Sequence, residues 1–356
     1  MTRGRVLLTG GGTAGHVTPN LALLPALRER GFDVSYVGSV AGIERRLATE
    51  AGLPYHAVQT GKLRRYASFE NLVDLFRIPV GILQATFLLM RLRPAVVFSK
   101  GGFVGVPVVV AAWLNRVPVV VHESDLTPGL ANRLSFPFAT KICLAFRETE
   151  PLVAGRDAVH TGTPVRSSLK EGDRARGSQR FGLEPSLRTV LVFGGSQGAQ
   201  AINERLRASL DPLLEDTQVL HVCGAGHLDP ALEGRARYHQ YEYLDAEFAD
   251  AFACADVVVS RAGANSLAEL IALRKPALVI PLPTAASRGD QIDNAKLYAE
   301  KGYGLVLPQE ELTTESLIVG LREVLDRAGD LVAAMDRAES HDPAVRIADL
   351  LADLAG

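Results

Sequence analysis

A chain of 356 residues with 47% apolar and 22% charged side chains has the composition of a soluble globular protein, and it is too long for one ordinary core. A formal net charge of −2 supplies no global field towards nucleic acid or a membrane, so any such contact has to be local. Cys143, Cys223 and Cys254 are far apart, an odd set that argues against a disulfide framework and offers no metal-ligand spacing.

The first predicted strand, 6–9, runs straight into Gly10-Gly11-Gly12-Thr13-Ala14-Gly15-His16, with no signal-peptide cleavage site before it. A strand, a glycine turn and a helix start form a generic anion site, because unpaired backbone N–H groups and the helix dipole point at the loop. Gly10, Gly12 and Gly15 fit the dinucleotide spacing G-x-G-x-x-G. The next strand, 33–37, ends in Gly38-Ser39 rather than in an acid that would hold a ribose, which argues against a dehydrogenase. His16 belongs to the first turn of the following helix, where the dipole disfavours imidazolium. It is either a structural histidine or a general base facing an anion site.

Residues 78–90 are nearly uncharged and too short to span a bilayer, which needs about 20 residues. Lys62, Arg64, Arg65, Arg77, Arg91 and Arg93 flank them, against only Glu70 and Asp74. This stretch reads either as a buried helix or as a surface for anionic lipid. Strands at 95–99 and 117–122 then lead into Lys100-Gly101-Gly102 and His122-Glu123-Ser124-Asp125, which are binding loops or plain turns. A strand at 141–145 completes the first half, and the boundary falls at Thr161-Gly162-Thr163-Pro164.

The second half repeats the device. A strand at 190–193 feeds Gly194-Gly195-Ser196-Gln197-Gly198, and further strands are predicted at 218–223, 257–260, 277–280 and 304–307. Several of these strands are unbroken Val/Ile/Leu runs, as in parallel sheets covered on both faces. Helical patterns at 19–30, 201–213 and 266–273 lie between them. The alternation implies two Rossmann-like α/β domains, 1–163 and 164–340, facing one cleft, with ligands beyond the C-terminal strand ends. After the strand at 257–260, Arg261 to Glu269 open a helix with small residues, and Glu269 is either a ribose acceptor or a solvated carboxylate. Ile347, Leu350, Leu351 and Leu354 mark one face of a closing helix, with Pro343 in its first turn. No D-x-D pair marks a metal-dependent sugar-nucleotide site, so no metal and no cofactor are expected.

Read together, GGGTAGHVTP at 10–19, SKGGFVGVP at 99–107, HESDLTPGLANR at 122–133, GTPVR at 162–166, GGSQGA at 194–199 and RAGANSLAEL at 261–270 resemble the MurG family of peptidoglycan glycosyltransferases along essentially the whole chain. The resemblance implies a GT-B architecture, with the helix at 341–356 returning to the first domain. It implies transfer of N-acetylglucosamine from UDP-N-acetylglucosamine to lipid I, at the cytoplasmic face of a bacterial membrane and without nucleic acid.

By the same resemblance, Thr13, Ala14, Gly15, Asp125, Arg166, Ser196, Leu244, Ala264, Asn265, Ser266, Leu267, Ala268, Glu269 and Gln291 would meet the donor. Asp125 stands where many members carry asparagine, and Asp290 where some carry glutamine. Gly12, Gly101 and Gly102 would take the acceptor diphosphate, and His16 or Glu123 would be the base. Leu72, Phe76, Arg77, Pro79 and Trp113 would dock on an anionic membrane. Two other readings stay open: an epimerase of UDP-N-acetylglucosamine with the same architecture, and a binding protein without catalysis.

Overall fold

The computed structural model describes residues 3–61, 69–195, 199–285, 287–338 and 341–356, and for 69–76 the backbone course alone. The chain divides into two compact units, 1–166 with 341–356 and 167–340.

In the first unit, β1 (Arg5–Thr9) leads into α1 (Ala14–Ala22) and α2 (Leu24–Glu29). β2 (Asp33–Ser39), α3 (Ile43–Glu50), β3 (Tyr55–Val58) and the long α4 (Phe69–Leu92) follow, then β4 (Val96–Ser99), α5 (Gly105–Leu114) and β5 (Val119–Glu123). α6 (Leu130–Ser135), β6 (Lys141–Leu144) and β7 (Ala158–His160) complete the run. Among the described residues the strands form one parallel sheet of order β3-β2-β1-β4-β5-β6-β7. The order reverses between β1 and β4, the switch point at which open α/β sheets take ligands. Val6, Leu7, Leu8, Val97, Phe98, Val120 and Val121 are fully buried, as strands covered by helices on both faces require.

The second unit starts with α7 (Arg174–Phe181) and β8 (Arg188–Phe193), then α8 (Gln200–Ala208) and α9 (Leu210–Leu213). β9 (Thr217–Val222), β10 (Tyr238–Tyr241), α10 (Glu247–Cys254), β11 (Val257–Ser260) and α11 (Ala264–Ala272) come next. β12 (Ala277–Val279), α12 (Asp290–Glu300), β13 (Leu305–Val306), α13 (Thr314–Asp326) and α14 (Ala328–Asp336) close it. Its described strands form a second parallel sheet of order β10-β9-β8-β11-β12-β13.

The last helix, α15 (Pro343–Ala355), belongs to the first unit. Asp342 caps it by accepting from the Ala344 N–H at 2.9 Å, and Pro343 occupies its first turn. Ile347 and Leu351 are fully buried against Leu23, Leu27 and Phe98, while Leu350 and Leu354 flank them half-buried. Truncating a buried Leu or Ile of this kind costs about 2–5 kcal/mol.

The structure departs from the sequence expectations where the rules for local pattern are weakest. The sequence pattern predicts no strand at β3, β7 or β10, and each of the three is an edge strand of its sheet. Such strands are only half covered, so Tyr55-His56-Ala57-Val58 and Tyr238-His239-Gln240-Tyr241 carry polar residues in place of a Val/Ile run. The helix expected at 19–30 begins at Ala14 and breaks at Leu23, where Pro25 starts a new helix. The helix expected at 201–213 breaks at Ser209, ahead of Pro212.

Candidate active site

In the first unit the C-terminal ends of β1, β4 and β5 converge on one polar cluster. The β1 end is pinned first: Thr9 O accepts from Lys100 N and from Asn20 Nδ2, both at 3.0 Å. Gly10 O accepts from the buried Tyr36 hydroxyl at 2.7 Å. Gly102, at φ +76, lies so close to Gly11 O that a Cβ there would overlap it, so the two glycine turns touch. A Cβ on Gly101 would meet the Asn132 amide in the same way. Asn132 in turn donates to the His122 carbonyl at 3.1 Å and to the Glu123 carboxylate at 2.9 Å. Gly12, Thr13, Ala14, Gly15, His16, Gly101, Gly102, Glu123 and Asp125 are thereby brought to one end of one sheet.

His16 sits half-buried in the first turn of α1, as the sequence indicated. Its Nδ1 lies 2.9 Å from Thr13 Oγ1. If Nδ1 carries the ring proton and donates it to that hydroxyl, Nε2 becomes the basic nitrogen. Glu123 is differently placed. It ends β5, is 3% exposed, and accepts from Ser124 N, Asp125 N, Gly129 N and Asn132 Nδ2 at 2.8–3.0 Å. Its carboxylate therefore shapes the 124–129 loop. His122, read from sequence as part of a polar binding loop, is fully buried instead. Its Nε2 must donate to Gly162 O at 2.8 Å, since a carbonyl only accepts, and burial drives its pKa well below the usual histidine range.

Lys100 is the residue whose role the sequence concealed. A lysine after a strand normally reaches water, yet this one is 1% exposed and its ammonium meets the Ser124 hydroxyl. Burial lowers its pKa from 10.5 to about 8, against the opposing pull of Glu123 and Asp125. In the unfolded chain Lys100 keeps its ordinary value, so between about pH 8 and 10.5 the unfolded state binds more protons and stability from this group rises with pH. Below pH 8 the full cost of the buried charge is present. The stability advantage of Lys100→Met over wild type should therefore shrink by about 2–3 kcal/mol from pH 7 to pH 10, a difference that urea unfolding measures directly. A pH-independent difference would mean that Lys100 titrates normally in the folded protein.

In the second unit, Gly194 and Gly195 follow β8, with Gly195 at φ +90. Ser196, the predicted diphosphate contact, lies outside the described residues. Arg166 stands half-buried in the stretch that leaves β7, at the end of the first unit's continuous segment. Along α11, Ala264 and Leu267 turn their side chains into the core, which leaves them only backbone to offer a ligand. Asn265, Ser266, Ala268 and Glu269 are partly exposed, and Glu269 falls in the second turn. Gln291 Oε1 accepts from Leu282 N at 3.1 Å and holds the 282–285 turn against α12. Buried Arg261 donates to Ile280 O, Pro281 O and Gln309 Oε1, joining the ends of β11 and β12. Leu244 lines an open cavity of about 430 Å³ with Arg180, Phe181, Tyr241, Tyr243 and Glu247. Phe181 and Tyr241 meet edge to face there, at 5.6 Å between centroids. Among the described residues, no group of three His, Cys, Asp or Glu side chains could hold a metal.

On α4, Val80, Leu83, Phe87 and Met90 recur at a spacing of three and four residues, with Phe87 67% exposed. Trp113 and Leu114 at the end of the adjoining α5 are also exposed. Arg77, Pro79, Arg91 and Arg93 are exposed nearby in sequence. Leu72 and Phe76 fall on α4, but their side chains lie outside the described residues, as do Lys62, Arg64 and Arg65. Among the described residues no helix is long and apolar enough to cross a membrane.

Residues 6–144 match the glycosyltransferase family 28 N-terminal domain and residues 189–351 the family's C-terminal domain. The chain is 48% identical to the UDP-N-acetylglucosamine–N-acetylmuramyl-(pentapeptide) pyrophosphoryl-undecaprenol N-acetylglucosamine transferase of Geobacillus kaustophilus, across 99% of each chain. It is 49% identical to the enzyme of the same name from Legionella pneumophila, across 92% of this chain and 90% of that one. The crystal structure of Acinetobacter baumannii MurG superposes with a TM-score of 0.76 at 27% identity, covering 98% of this chain and 99% of that one. The calicheamicin glycosyltransferase CalG4 shares the fold, at a TM-score of 0.71 and 16% identity, over 99% of this chain and 98% of that one. Two parallel Rossmann-like units in GT-B architecture, two family domains and near-complete similarity to named relatives all agree: this chain belongs to glycosyltransferase family 28 and, within it, to the MurG family.

Proposed function

We propose that this enzyme moves N-acetylglucosamine from UDP-N-acetylglucosamine to the muramyl 4-hydroxyl of lipid I, undecaprenyl-pyrophosphoryl-MurNAc-pentapeptide, and so makes lipid II for peptidoglycan. The observation that carries the reading is His16 in the first turn of α1, ring fixed by Thr13, at the switch point of the first sheet. His16 Nε2 takes the proton of the attacking hydroxyl. The new C1–O4 bond forms as the C1–phosphate bond breaks on the opposite face, which inverts the anomeric carbon, and UDP departs with the electron pair. Arg166, Ser196 and helix N-termini stabilise the charge that develops on UDP, a preorganised electrostatic effect that needs no metal.

The uracil meets the backbone at Leu244, the ribose diol meets Glu269, and the sugar meets Asp125 and the Thr13–Gly15 turn. Gly12, expected from the sequence at the acceptor diphosphate, instead donates its N–H to the Glu44 carboxylate at 3.2 Å, and the diphosphate meets the Gly101-Gly102 turn and the N-terminal end of α1. Glu123 serves as the anchor of the 124–129 loop rather than as the base, because four donors already engage its carboxylate.

The acceptor hangs from a lipid, and the exposed stripe Val80, Leu83, Phe87, Met90 with Trp113 and Leu114 gives the first unit an apolar surface for the cytoplasmic leaflet. Neighbouring arginines add roughly 1 kcal/mol each at an anionic surface. A Leu83→Glu, Phe87→Glu variant should lose sedimentation with phosphatidylglycerol liposomes and activity on bilayer-embedded acceptor, yet keep activity on a soluble short-chain acceptor. Equal loss on both acceptors would make the stripe part of the active-site wall.

UDP release tests the reaction class. Release should require a lipid I analogue and stop when the acceptor 4-hydroxyl is capped. UDP-N-acetylglucosamine converted to its 2-epimer without any acceptor would instead establish the epimerase reading.

A further inference from the structure

The sequence has no acid at the end of β2, where a dinucleotide fold would place one, yet the structure puts a buried carboxylate there from another element. Glu44 is fully buried in the first turn of α3, where the helix dipole favours negative charge. Its Oε1 accepts from Ser39 N at 3.0 Å and from Ser39 Oγ at 2.5 Å, and its Oε2 accepts from Gly12 N at 3.2 Å. One side chain thus joins the first glycine loop to the end of β2.

The glycines around it make room for this side chain, and Gly38 for the Tyr55 hydroxyl as well. A Cβ at Gly11, Gly38 or Gly42 would overlap the Glu44 side chain. Gly42 has φ −81 and ψ 162, a conformation open to any residue, so it needs glycine for room and not for backbone freedom. Gly12, by contrast, sits at φ +85 with nothing near its missing Cβ, and its N–H turns inward to the carboxylate. Tyr55 adds a further tie by donating to Ser39 O at 2.5 Å.

We propose that Glu44 is a positioning residue of the transfer reaction, which withholds the Gly12 N–H from phosphate and so fixes which donors of the first glycine loop meet the acceptor diphosphate. This rests on the function proposed above, where that loop faces the acceptor. Glu44 touches no substrate. It acts through Gly12, and an anion at the loop is received by the α1 end alone. The first glycine loop is thereby given a single geometry before substrate arrives, with the cost of ordering it met on folding.

Glu44→Gln keeps the volume in the cradle but leaves one acceptor oxygen where two serve; with that oxygen held by the Ser39 N–H and hydroxyl, the NH2 group faces Gly12 N and cannot accept from it. A residue that only filled space would leave kinetics unchanged on this substitution. With a soluble lipid I analogue, kcat/KM for the acceptor should fall about tenfold, while KM for UDP-N-acetylglucosamine stays within about twofold. An unchanged acceptor kcat/KM would overturn the proposal, and so would an equal loss for donor and acceptor, the sign of general loosening. A readout independent of turnover separates this idea from the functional reading. In amide NMR titrations with inorganic pyrophosphate, Ala14 and Gly15 should shift in wild type and Gly12 should not, whereas in Glu44→Gln the Gly12 amide should join them. A Gly12 amide that responds to pyrophosphate equally in both proteins would refute the withholding, whatever reaction the enzyme performs.

Discussion

Alanine in place of His16 should lower single-turnover transfer by about 10²–10⁴-fold, the usual share of a general base, while UDP affinity stays within about twofold. The asymmetry follows from position. His16 lies in the first unit at the start of α1, and the groups proposed for uracil and ribose, Leu244 and Glu269, lie in the second. Thr13→Val should reproduce part of the loss, because it removes the oxygen that orients the ring. Glu123→Gln should behave differently. Exchanging one acceptor oxygen for an NH2 group leaves buried donors of the 124–129 loop without a partner, which costs about 1–3 kcal/mol of stability. Rapid-quench rates across pH, run beside urea unfolding, distinguish the two. Near-wild-type turnover in His16→Ala, with turnover lost in a fully folded Glu123→Gln, would move the base to Glu123.

Glu269→Ala should weaken UDP binding by about 10–150-fold, since a charge-assisted hydrogen bond is worth about 1.5–3 kcal/mol. Glu269 sits partly exposed in the second turn of α11, on a helix whose other face, through Leu267 and Leu270, is locked into the core. That burial holds the backbone rigid, so removing the carboxylate should leave the fold intact and confine the effect to the ligand. Calorimetric titration with UDP measures it, and titration with uridine monophosphate should show the same loss because the ribose is common to both. Unchanged affinity in a folded variant would remove Glu269 from the nucleotide site.

The central strands were legible because burial on both faces leaves nearly continuous Val, Ile and Leu, as at β1, β5, β8 and β11. The glycine loops were legible for a related reason: positive φ at Gly10, Gly12, Gly101, Gly102 and Gly195 demands glycine whatever the neighbours. Half-exposed strands such as β3 and β10 were not legible, because solvent on one side permits tyrosine, histidine and glutamine. Nor were Glu44 and Lys100. Each is a charged residue of a type that usually faces water, and only the three-dimensional approach of other loops buries it. Gly38 and Gly42 on either side of Ser39 were the one local trace of Glu44, since neither is needed for its backbone angles. The apolar stretch 78–90 was visible as composition, but which face stays exposed depends on α5 and β3 packed against the other.

The most direct measurement is the mass of the acceptor after incubation with UDP-N-acetylglucosamine and a lipid I analogue. The proposed transfer adds one N-acetylhexosamine residue per acceptor, joined in the inverted β configuration to the muramyl 4-hydroxyl, with one UDP released for each. An acceptor of unchanged mass in the presence of folded, UDP-binding enzyme, or a sugar joined with its original configuration, would contradict it.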